Sequence, residues 1–103
     1  MSSIKIRSKR EGGSTQIRTL INHPMETGRG KDPRTNQPIP AHFIQELTVS
    51  YNGRVIVSSQ LGTSISKDPY FAFTLKGGEP GDKIKIEWLD NLGKRDSEEH
   101  VLK

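Results

Sequence analysis

Apolar and polar residues alternate in short runs along this chain, with a period of two rather than 3.6. Ile4-Lys5-Ile6-Arg7 reads as a first strand, followed by a charged, glycine-ended turn from Lys9 to Gly13. Ser14 to Asn22 reads as a second strand, with Ile17, Thr19 and Ile21 on one face. Phe43 to Tyr51 alternates again. Phe43, Leu47, Val49 and Tyr51 point one way, Glu46, Thr48 and Ser50 the other, and Gln45 intrudes on the apolar face. Asn52-Gly53 then predicts a two-residue hairpin turn, whose central residues both need positive φ, and Arg54 to Ser59 is the return strand. Tyr70 to Lys76 carries Phe71, Phe73 and Leu75 on one face. Lys83 to Leu89 alternates most cleanly, with Ile84, Ile86 and Trp88 inward, and Lys94 to Leu102 supplies a last strand. Seven short strands without a βαβ unit or a convincing helix predict one all-β domain over residues 1–103. The expected fold is an antiparallel immunoglobulin-like β-sandwich. Lacking a disulfide, it is expected to fill its centre with Trp88 and the Phe71/Phe73 pair.

The alternation stops between His23 and Pro40. Pro24, Pro33, Pro38 and Pro40, with Gly28 and Gly30, reject helix and central strand alike. Loops beyond about 12–15 residues are uncommon in compact domains and are usually functional or disordered. His23–Gly28 is expected to be a packed stem and Arg29–Gln37 a mobile tip. Met25, apolar between Pro24 and Glu26, must either tuck under the loop or meet a partner. Arg29, Lys31 and Arg34 outnumber Glu26 and Asp32.

Composition supports strands and turns: alanine occurs only at Ala41 and Ala72, beside ten glycines and six prolines. At 30% apolar residues, the core must be small. No run of 18 apolar residues exists to span a membrane, and no secretory h-region follows Met1. The absence of cysteine excludes a disulfide, a thiol nucleophile and a cysteine metal site. The net charge of +4 arises entirely within residues 1–50, which hold eight Lys or Arg and four Asp or Glu, against eight of each in the remainder. Such asymmetry marks either an anionic partner or a solvated basic face.

Candidate chemistry is sparse. His23 and His42 bracket the loop and could meet, with Glu26 or Asp32 completing a metal set, but His23 before a proline reads more simply as a turn residue, and no metal or cofactor is expected. Glu98 and Glu99 must face opposite sides of a strand, and Asp90 is explained by turn chemistry. Gly77-Gly78-Glu79-Pro80-Gly81 lacks the helix and Lys-Ser/Thr of a phosphate loop. A single-strand nucleic-acid binder needs exposed stacking aromatics, and of six aromatics only Tyr70 has a claim to exposure. No convergent nucleophile, base or metal set remains, so the chain reads as a non-catalytic binding module.

Several motifs then coincide. His23-Pro24-Met25-Glu26-Thr27-Gly28, followed by Lys31-Asp32 and Ile39-Pro40, resembles the signature of the SoxZ family. Phe43-Ile44, Asn52-Gly53, Asp68-Pro69-Tyr70 with Phe71-Ala72-Phe73, and Trp88 with Asp90-Asn91 and Gly93 are similar to that family in order and spacing. The resemblance implies a subunit of a thiosulfate-oxidation carrier in sulfur-oxidising bacteria. It implies a heterodimer with a SoxY-like subunit, whose C-terminal cysteine arm carries the sulfur intermediates. Transient docking with other Sox enzymes is also implied. So is residence in the periplasm, reached by export with the signal-bearing partner. Partner contacts are expected at His23, Pro24, Met25, Glu26, Thr27, Gly28, Arg29, Lys31 and Arg34. The alternative reading is a basic β-module binding nucleic acid or an acidic protein surface.

Overall fold

The computed structural model describes residues 2–62 and 65–102. Seven strands follow one another: β1 (Ile4–Glu11), β2 (Ser14–Ile21), β3 (Ile44–Tyr51), β4 (Arg54–Gln60), β5 (Tyr70–Lys76), β6 (Lys83–Asp90) and β7 (Arg95–Val101). They form two antiparallel sheets, one of order β1-β2-β5 and one of order β4-β3-β6-β7. This is the expected β-sandwich. Its two sheets divide the strands in the immunoglobulin-like manner, with the chain crossing between layers after β2, β4 and β5.

The inner faces follow from alternation. Thr15, Ile17, Thr19 and Ile21 of β2 meet Leu47 and Val49 of β3 and Ile84, Ile86 and Trp88 of β6. Trp88 lies in this core as expected, its indole N–H donating to Ser3 Oγ at 3.1 Å. Phe71, Phe73 and Leu75 also face inward but are only half-buried, because β5 is the open edge of its sheet. The centre is therefore aliphatic, dominated by Ile17, Ile21, Ile44, Ile84 and Ile86.

Most strand ends fall within a residue of the sequence reading, and two features depart further from it. β1 runs on to Glu11, so its turn contracts to Gly12-Gly13, both at positive φ. In β3, the register against β6 shifts between Ile44 and Glu46. This irregularity buries Ile44 completely and turns Gln45 to solvent, so Gln45 does not intrude on the core, and Phe43 packs at its margin instead.

One side of the sandwich is closed by polar contacts between β1 and β7. Ser3 N–H and Oγ donate to Asp96 Oδ2 at 2.8 and 2.7 Å, and Ser8 Oγ lies 2.8 Å from His100 Nε2. The molecule measures 52 × 24 × 22 Å. Eight-residue strands span only about 27 Å. Of the connections between strands, the excursion between β2 and β3 is by far the longest.

Candidate functional site

The excursion starts where β2 delivers His23 into the interior. His23 is 2% exposed. Its N–H donates to Asp68 Oδ1 at 3.0 Å, and its carbonyl accepts from Asp68 N at 2.9 Å. Its Nδ1 accepts the Met25 N–H at 3.1 Å, and its Nε2 lies 3.2 Å from Asp90 Oδ2. Met25, at φ 49°, turns its side chain back into the core, where it is 5% exposed and its Sδ accepts the Ile44 N–H at 3.3 Å. Glu26 and His42 then pair through both backbone hydrogen bonds, at 2.7 and 3.0 Å, closing the stem. Gly28, at φ 87°, passes close to Ala41, and a Cβ there would press on the Ala41 methyl at 3.3 Å.

His42 Nε2 reaches the same Asp90 Oδ2 at 2.7 Å. The other oxygen, Oδ1, accepts the Leu92 and Lys94 N–H groups at 3.0 and 2.9 Å. The neighbouring Asn91 adds a second tie, accepting from Phe43 N at 2.8 Å and donating to Ala41 O at 2.9 Å. The rings of His23 and His42 meet edge-on with centroids 4.5 Å apart, and Trp88 stands edge-on to His23 at 5.0 Å. Burial favours the uncharged carboxyl of Asp90, but hydrogen bonds from His42, His23 and the Lys94 and Leu92 N–H groups outweigh it and hold the pKa below the usual carboxylate value. Burial is also the main influence on His23 and lowers its pKa, against the pull of Asp90.

One ligand atom from each of His23, His42 and Asp90 lies within 4.8 Å of the others, a spacing that could hold a metal ion. The chemistry of His23 opposes this. A backbone N–H is always a donor, so Nδ1 must be unprotonated and the ring proton sits on Nε2. A ligating Nε2 would need its lone pair free and its proton on Nδ1, facing the Met25 N–H. The fold thus selects the tautomer that donates to Asp90, and the three side chains form a hydrogen-bonded lock. Glu26 and Asp32 are not members of this cluster.

The residues expected at a partner surface divide in two. His23 and Met25 are buried in the domain's own core, as a packed stem would hold them, because the loop is long enough to fold its apolar residue under itself. Pro24, Thr27, Gly28, Arg29, Lys31 and Arg34 are exposed, and Glu26 is half-buried. The tip, expected to be mobile, carries its own hydrogen bonds. Lys31 bridges Pro38, Asp32 N donates to Gln37 O at 2.9 Å, and Ile39 N donates to Gly30 O at 2.9 Å. Asp32 Oδ1 accepts Arg34 N at 2.8 Å, and Thr27 Oγ1 accepts Arg29 N at 3.1 Å. Asp90 was missed as a site residue. Its turn role is real on Oδ1, but the alternation Ile84, Ile86, Trp88, Asp90 places it on the inward face, where a carboxylate requires partners.

The family described as "Sulphur oxidation protein SoxZ" matches residues 4–101. Among curated proteins none matches the sequence. A hypothetical protein from Pyrococcus horikoshii, known as a crystal structure, superposes with a TM-score of 0.59 over 97% of this chain and 85% of its own, at 18% identity. That similarity concerns the fold alone.

Proposed function

Because this chain belongs to the SoxZ family and acts in sulfur oxidation, we propose that it is the non-catalytic subunit of a sulfur carrier complex. In this reading it pairs with a SoxY-like subunit whose C-terminal cysteine arm carries covalent sulfur intermediates during thiosulfate oxidation. The observation that carries the proposal is the family match over nearly the whole chain. The absence of cysteine fits it, since the reactive thiol then belongs to the partner. The inward chemistry also fits: both oxygens of Asp90 and both nitrogens of His23 are already engaged, so neither of these two groups is free to take a substrate's proton.

The exposed part of the excursion is the proposed partner surface, formed by Pro24, Glu26, Thr27, Gly28, Arg29, Lys31 and Arg34, with His23 and Met25 holding it from beneath. Sulfonate-ended intermediates are anionic, and a basic tip suits them. The pair works in the periplasm, with this chain exported beside a signal-bearing partner, and other Sox enzymes dock on it transiently. Co-expression with a SoxY-like subunit followed by size-exclusion chromatography tests the proposal. One heterodimeric peak is expected, as is no thiosulfate turnover by this chain alone. Separate monomers at micromolar concentration, or turnover without a partner, would overturn it.

A further inference from the structure

The outer face of the β1-β2-β5 sheet concentrates the charge of the molecule. The register sets Lys5, Leu20 and Tyr70 in one cross-strand row, then Arg7, Arg18 and Ala72, then Lys9, Gln16 and Thr74, then Glu11, Ser14 and Lys76. Each of these positions except half-buried Ser14 is exposed. The face therefore carries five cations and one carboxylate, and its surplus of four equals the formal net charge of the whole chain. The charges of the rest of the chain balance. Glu11 is already tied to Lys9 at 2.9 Å. Among the described residues, Lys5, Arg7, Arg18 and Lys76 have no carboxylate partner.

Arg7 and Arg18 stand directly opposite each other across β1 and β2. Directly opposed Cβ atoms lie only about 5 Å apart, and like charges there destabilise a sheet. The Arg18 guanidinium reaches only Gln16 Oε1, at 3.2 Å. Folding alone would be better served by a neutral or opposite pair. Two guanidiniums side by side are instead well suited to grip carboxylates two-pronged.

We propose that this face is a docking surface for an acidic protein, held by Arg7 and Arg18 at its centre and by Lys5, Lys9 and Lys76 around them. The face is the surface of a sheet, without a helix to enter a nucleic-acid groove, and Tyr70 is its single aromatic for stacking, so a nucleic acid fits it less well. Leu20, Tyr70 and Ala72 are its only apolar residues, too few for a permanent interface. The contact is thus transient and salt-sensitive. It occupies a flank of the sandwich, whereas the excursion caps one end, so the two surfaces can be tested apart.

The test measures binding of labelled poly-L-glutamate, and of a DNA duplex of matched charge, by fluorescence anisotropy at about 0.15 M ionic strength. Arg7→Gln/Arg18→Gln is compared with Lys85→Gln/Arg95→Gln, which removes the same charge from the outer face of the other sheet. The first pair should weaken poly-L-glutamate binding about tenfold and the second less than twofold, with the melting temperature of the first unchanged or raised by relief of repulsion. If the first pair impairs folding, Lys5→Gln/Lys9→Gln replaces it, with the same expectation. Equal loss in both sheets would reduce the effect to net charge and overturn the proposal. So would no loss in the first pair, or tighter binding of the duplex with the same sensitivity.

Discussion

Met25 and His23 carry the residue-scale argument, because both sit in an irregular segment and both are buried. A methionine side chain here fills core space and accepts the Ile44 backbone N–H. Met25→Ala is therefore expected to destabilise the isolated domain by about 2–5 kcal/mol, the usual cost of truncating a buried methionine, measured by urea unfolding. An effect confined to partner binding, with stability unchanged, would contradict the buried placement. His23 gives a pH dependence whose sign is fixed. Its folded pKa is lowered from 6.5, chiefly by burial. As pH falls through 6.5, the unfolded chain takes up a proton that the folded chain refuses. Stability contributed by neutral His23 is thus fully present above that pH and is lost as pH falls below it. Urea midpoints between about pH 7.5 and 5.5 should decline, with a shallower decline in His23→Asn even though that variant is less stable throughout.

At the scale of elements, the excursion between β2 and β3 is a braced hairpin rather than a slack connection. Its stem is fastened twice to the β6–β7 turn, through Asp90 to the two histidine rings and through Asn91 to Ala41 and Phe43. The bracing fixes where the exposed Lys31 and Arg34 stand, and the Arg34 guanidinium makes a long contact of 3.9 Å to Asp32. Long-range charge on a rim changes association rate more than dissociation, and salt screens it. Lys31→Glu/Arg34→Glu should slow association with a SoxY-like subunit by about tenfold at low salt, with the difference shrinking as salt rises and the melting temperature unmoved. Stopped-flow mixing measures this. An unchanged rate would make the excursion a brace for the sandwich and nothing more.

For the molecule as a whole, local pattern determined a great deal. Period-two alternation marked β1, β2, β3, β5 and β6, the inward Trp88 and the inward Ile17, Thr19 and Ile21, because a half-buried strand must sort its side chains by face; β4 was marked by the hairpin turn before it and β7 only by a weak pattern. The Asn52-Gly53 turn was equally legible, since only certain residues accept its positive φ. The family motifs lay in the sequence itself, as did the positive excess of residues 1–50. What the chain order could not convey is which distant positions meet. His23 and Asp90 are 67 residues apart, and His42 and Asp90 are 48 apart, so their shared carboxylate exists only once β2, β3 and β6 are packed together. Whether Met25 turned inward or outward depended on the same packing. The shift at Ile44 needed a partner strand to be defined at all. The basic residues of β1 and β2 became one face only through register, which sets Arg7 against Arg18. Sequence determined what each strand hides and shows, because that sorting is local. Tertiary structure decided which hidden polar groups satisfy one another and which exposed charges add, because both depend on distances across elements that alternation does not encode.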